Sequence, residues 1–130
     1  MSTLSPANSN LLSRNVAALT ALAVGFGACV VTAWMTGKRE AWDTPLYLAV
    51  VMPAVTAFAG CAGWFRPQRA WLVAPSLLTG QFAALIATNP GGMNLWPLAL
   101  GLLCVFHAPA FAVAMFGAWL RKRSTNVAQA

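Results

Sequence analysis

Three long stretches without a formal charge decide what this chain can fold into. They run from Asn15 to Gly37, from Thr44 to Phe65 and from Ala70 to Leu120, lengths of 23, 22 and 51 residues. A helix needs about 20 apolar residues to cross the hydrocarbon core of a bilayer. The first two stretches hold one span each, and the third is long enough for two. Its middle carries Asn89-Pro90-Gly91-Gly92, where proline removes a backbone donor and the glycines offer no helix propensity, so the helix breaks there. The spacing predicts an all-α bundle of four transmembrane helices with short loops and antiparallel neighbours. The spans fall near 16–36, 46–65, 70–88 and 95–120, after a flexible tail over 1–15 and before a basic tail over 121–130.

A barrel reading fails, because barrel strands alternate polar and apolar residues and these apolar runs are continuous. In lipid, a continuous apolar segment satisfies its own backbone hydrogen bonds only as a helix. The first span is longer than the apolar core of about 7–15 residues in a signal peptide, so it is expected to be retained. Composition excludes the remaining classes. Only 8% of the 130 residues are charged, against roughly 25% in soluble domains, and 59% are apolar, too many for a disordered chain. The net charge of +6 is spread singly and in short clusters between apolar blocks, which does not make a nucleic-acid surface. The expected partner is the lipid bilayer.

Tryptophan marks the same boundaries. Trp34, Trp64, Trp71, Trp96 and Trp119 fall at span ends, and Trp42 falls in the first loop. Indole favours the headgroup level, half buried with its N–H wet, so these residues read as interfacial anchors. Basic residues then set the orientation. Arg14, Arg66, Arg69, Arg121, Lys122 and Arg123 share one side, whereas Lys38 and Arg39 lie on the other, beside Glu40 and Asp43. By the positive-inside rule both termini are expected in the cytoplasm, in what reads as a bacterial inner membrane.

Small residues recur every four positions within the spans. Ala17, Ala21, Gly25 and Cys29 form one ridge; Ser76, Gly80, Ala84 and Thr88 another; Ala110, Ala114 and Ala118 a third; Ala59 and Gly63 a short fourth. Such ridges let helices approach closely where lipid removes the hydrophobic drive to associate. Pro75 sits near a span start and is tolerated there, whereas Pro53 and Pro109 are expected to free a carbonyl and kink their helices.

Few residues bear chemistry. His107, the only histidine, lies in mid-span, with Cys104 three residues before it on the same predicted face. That pair carries the one cofactor reading, with His107 as an axial haem ligand or as a metal ligand beside Cys104. Against it stands the plainer reading of a neutral histidine whose hydrogen bonds are met inside the bundle. The main expectation is therefore no metal and no cofactor. Gln81, in the middle of the third span, is a second intramembrane polar residue and is expected to be a hydrogen-bonded neighbour of His107. Cys29, Cys61 and Cys104 lie within spans and form no C-x-x-C motif, which argues against a disulfide framework.

No Asp or Glu lies in any span. Ion-coupled transport usually relies on an intramembrane carboxylate, so the small-multidrug-transporter reading that four spans invite lacks its central group. No Ser/His/Asp set and no phosphate loop is present, and the chain is not expected to be an enzyme. The expected function is an accessory or assembly subunit that packs against a larger membrane complex or against itself. The alternatives are a holin-like or transporter-like oligomeric pore and, third, an electron-transfer subunit using His107.

Overall fold

The computed structural model describes residues 6–38, 41–89, 91 and 93–128, and among these the chain forms helices and no strand. Four long helices organise it: α1 (Pro6–Thr36), α2 (Met52–Phe65), α3 (Val73–Thr88) and α4 (Trp96–Ala128). With their flanking turns they give four segments long and apolar enough to cross a membrane: Asn15–Thr36, Tyr47–Phe65, Pro67–Thr88 and Trp96–Ala128. The protein is a four-helix membrane bundle. Gly37 ends the α1 region in the left-handed conformation at φ 65°, which glycine adopts without steric cost. Arg39, Glu40, Pro90 and Gly92 lie outside the described residues.

Helix extends into both terminal segments. α1 already begins at Pro6, where a proline at the first helical position lacks only an N–H that would have no partner anyway. α4 continues through the basic cluster to Ala128. Its 33 residues span about 50 Å at 1.5 Å per residue, well beyond a hydrocarbon core of about 30 Å. The surplus turns are held from within and from the side. Ser124 and Thr125 donate to the Arg121 carbonyl at 2.8 and 3.3 Å. The Arg121 guanidinium lies 5.7 Å from the Trp64 ring and that of Arg123 lies 4.2 Å from the Trp119 ring, within range of cation–π attraction.

Helices adjacent in sequence are not the closest partners in space. α1 packs chiefly on α3 and α2 chiefly on α4, whereas α1 and α2 barely touch. Each tight pair is parallel. Arg69 at the foot of α3 bonds to Asn15 near the foot of α1, and Ala84 shares a core cluster with Cys29 further along. For the second pair, Met52 lines a groove with Phe106, and Trp64 meets Arg121 at the opposite end.

The predicted small-residue ridges are the surfaces on which these pairs close. A Cβ on Gly25 would overlap the Leu77 carbonyl, and one on Gly80 would overlap the Leu22 carbonyl. In the other pair, a Cβ on Gly63 would overlap the Ala114 carbonyl, and one on Gly117 the Gly60 carbonyl. In each pair the helix backbones touch directly, which maximises dispersion contact in a medium that supplies no hydrophobic drive. Ala21, Val55, Ala59, Val73, Ala74, Leu77, Ala110 and Ala114 join all four helices in one core.

The two mid-span prolines are accommodated differently. Before Pro53 the chain widens into a π turn, Tyr47–Val51, where the Met52 N–H donates to the Tyr47 carbonyl five residues back. The proline ring would otherwise collide with the carbonyl four residues before it, and the wider turn moves that carbonyl aside. Pro109 sits within a continuous α4. Pro75 lies in the first turn of α3.

A buried polar cluster as candidate functional site

Tyr47, the only tyrosine in the chain, is 1% exposed. Local chemistry holds it there. Thr44 begins the helical turn: its hydroxyl accepts from the Tyr47 N–H at 3.3 Å and donates to the Ala41 carbonyl at 2.9 Å. Pro45 follows with its fixed φ, so Thr44-Pro45 is a compact helix start. The π turn then begins at Tyr47 itself. The phenol reaches across the bundle and its hydroxyl donates to Gln81 Oε1.

Gln81 is 1% exposed and His107 3% exposed, so both mid-span polar residues predicted from the sequence face the bundle interior. They belong to one layer of it. Leu77, one turn below Gln81, clusters with Ala110 and Ala114 of α4. Ala84, one turn above Gln81, clusters with Tyr47 and packs near Phe106. His107 lies between those contacts on α4. The ring of Phe106 stands 6.2 Å from that of Tyr47.

The expected bond between Gln81 and His107 does not form. Gln81 spends its carbonyl on Tyr47, and His107 turns Nδ1 to the Leu103 carbonyl at 2.8 Å. A carbonyl only accepts, so Nδ1 carries the proton and Nε2 of the neutral ring is left as a bare acceptor. Gln81 Nε2 and His107 Nε2 are both buried with no hydrogen-bond partner. One is a donor and the other an acceptor, and neither meets a partner among the described residues. The pinned Nδ1–H is also the arrangement that leaves a histidine Nε2 ready for a metal.

The remaining candidate residues separate. Cys104 is exposed on the outer face of α4 while His107 points inward, so the two do not converge, and Cys61 is likewise exposed. Cys29 is buried in the cluster that contains Tyr47, and all three cysteines are free thiols. Among the described residues, no three His, Cys, Asp or Glu side chains are grouped to hold a metal. Four of the five anchor tryptophans present at least 45% of their surface: Trp34, Trp71, Trp96 and Trp119 at 84, 56, 48 and 45%. Trp64 is half-buried beneath Arg121.

The basic residues singled out for topology gather at one end of the bundle. Arg66 and Arg69 flank the short connection from α2 to α3, and Arg121 and Arg123 lie beside Trp64 and Trp119. Lys122 is exposed between them. The opposite end carries the exposed ion pair of Lys38 and Asp43 at 3.3 Å.

Tyr47 is the residue that the sequence reading passed over. Its signal was present: a lone phenol just inside a span must find a hydrogen-bond partner, and Gln81 is one of the few side chains at mid-depth able to accept. Comparison with protein-family models, with curated proteins and with solved structures finds no match for this chain.

Proposed function

We propose that this protein is a non-enzymatic accessory subunit of a bacterial inner-membrane assembly, with both termini in the cytoplasm. The observation that carries this reading is the gap between α1 and α2. These helices leave an apolar groove of about 440 Å³, lined by Val24, Gly27, Val31, Leu46, Val50 and Ala54 among others. Its floor includes Gly27, where an added Cβ would meet nothing within 4 Å. Small residues facing outward are what a second transmembrane helix needs for close approach. The occupant that fits is an apolar helix of another membrane chain, with branched side chains to fill the space over Gly27.

The packed interior leaves no channel through a single protomer among the described residues. Tyr47, Leu77, Gln81 and Leu103 are all fully buried in the protomer, and the helix backbones touch at Gly25, Gly63, Gly80 and Gly117.

Purification in mild detergent, with the co-purifying chains identified, tests this reading. A stoichiometric partner retained by the native protein and lost from Gly27→Leu is the expected result. A monomer with no partner at expression-level concentrations counts decisively against it. A complex containing only copies of this chain replaces the foreign partner with a homo-oligomer.

The cofactor reading keeps one observation in its favour, the unpartnered Nε2 of His107. A visible absorption band in the purified protein is its test.

A further inference from the structure

The basic end of the bundle contains a cavity that neither the packing nor the polar cluster uses. It measures about 310 Å³ and is lined by Ala17 of α1, Phe65 at the end of α2, and Arg66, Pro67, Gln68 and Arg69 of the following turn. That is ample for several waters or for one tetrahedral anion with its hydration, since a single water needs only about 10–15 Å³ of such space.

The electrostatics of this cavity are one-sided. Arg69 is held in place because its Nη1 donates to Asn15 Oδ1 at 2.5 Å, which leaves the rest of its five-donor fork available. The Arg66 side chain makes no hydrogen bond or ion pair among the described residues, and Gln68 adds a neutral amide to the wall. Among the described residues no carboxylate answers these charges. Asp43, the one described acidic side chain, pairs with Lys38 at the opposite end. Two guanidinium groups at one mouth repel each other unless an anion lies between them.

The cavity also lies at a span end. Phe65 is 77% exposed and Trp71, just beyond the turn, is 56% exposed. An exposed tryptophan at a span end is the kind of side chain that marks the boundary between hydrocarbon and headgroups. A membrane supplies phosphate groups at that depth, and guanidinium forks match phosphate oxygens in geometry as well as charge.

We propose that the Arg66–Arg69 cavity is a phosphate-binding site at the membrane surface, with Arg66 and Arg69 as charged ligands and Gln68 as a neutral donor. Asn15 is the positioning residue that aims Arg69. The phosphate arrives on an anionic phospholipid or as a free ion, and the two sources separate experimentally.

Native mass spectrometry and thermal unfolding of the detergent-solubilised full chain test the site, using phosphatidylglycerol, phosphatidylcholine and inorganic phosphate as separate additives. One phosphatidylglycerol is expected to be retained per protomer and to raise the unfolding temperature, with phosphatidylcholine much weaker. Arg66→Gln is the primary variant, because Arg66 holds nothing else together among the described residues. It should weaken the lipid affinity roughly fivefold, the scale of one basic residue at an anionic surface, while the unfolding temperature without additive stays that of the native protein. Asn15→Ala should weaken it less, by releasing Arg69 without removing charge. Replacing Arg121, Lys122 and Arg123 together by Gln should leave this bound lipid in place. Saturable protection by inorganic phosphate that is lost in Arg66→Gln keeps the site and makes the free ion its ligand. Unchanged lipid retention in an Arg66→Gln, Arg69→Gln protein, or loss of the bound lipid only in the triple variant, overturns the proposal.

Discussion

The Tyr47 hydroxyl donates to Gln81 Oε1 across the bundle, joining the π turn that precedes α2 to the middle of α3. α2 and α3 otherwise make few direct contacts. The bond therefore ties together two helices whose main partners are elsewhere, and it does so inside the hydrocarbon layer, where neither group has water to fall back on.

Tyr47→Phe keeps the ring and its packing near Phe106 but leaves Gln81 Oε1 without its donor. Interhelical hydrogen bonds in membranes average about 0.6 kcal/mol, with a maximum near 1.7. A loss of about 1 kcal/mol is expected in a reversible unfolding assay in detergent or bicelles. In a double-mutant cycle with Gln81→Leu, the second substitution should cost less in the Tyr47→Phe background than in the native one. Fully additive costs would show that the bond contributes nothing.

Glycine positions should divide sharply by what lies over them. Gly25→Ala, Gly80→Ala and Gly63→Ala each drive a methyl group into a facing carbonyl, so the helix pair must separate. The expected cost is about 1–3 kcal/mol apiece, as for overpacked cores. Gly27→Ala and Gly101→Ala meet nothing within 4 Å and should be neutral or slightly stabilising, since alanine is the better helix former by about 1 kcal/mol. Thermal unfolding of the five variants checks the division, and equal effects at Gly25 and Gly27 would contradict the packing described above.

His107→Gln should be mild, below about 1 kcal/mol, because glutamine retains a donor for the Leu103 carbonyl and an acceptor in place of Nε2. No visible absorption is expected from either protein. A band present in the native protein and missing from His107→Gln would establish His107 as a cofactor ligand, and the unpartnered Gln81 Nε2 would then be a neighbour of that group.

A reporter fused after Ala130 should be active only in the cytoplasm, and one inserted at 91–94 only on the far side. The basis is the six-to-two distribution of Lys and Arg between the two sets of loops and tails along the sequence. A C-terminus on the far side would reverse the proposed orientation and place the Arg66–Arg69 cavity at the outer leaflet, where its phosphate chemistry is unchanged.

The number of spans was legible in the chain, as was the gathering of the described basic residues on one side; the limits of the second and third spans were legible to within a few residues, whereas α4 runs eight residues past its expected end. These follow from one strong physical constraint: charges and open backbone are expelled from hydrocarbon, so their positions along the sequence mark where the membrane must be. The inward placement of Gln81 and His107 was legible for the same reason, since an intramembrane polar side chain turns toward other helices. The small-residue ridges were visible too, and Gly25, Gly63 and Gly80 lie on them. Which ridge meets which was not. Ridge periodicity is local to a helix, whereas pairing depends on how surfaces from distant parts of the chain fit, and the fold joins α1 to α3 and α2 to α4. The tertiary structure likewise decided the polar cluster. Cys104 and His107 are three residues apart, yet one faces outward and the other inward, because the helix is rotated by its packing on α2 and α3. Tyr47, which reaches Gln81, opens a π turn before Pro53, a response to backbone crowding that helical periodicity does not encode.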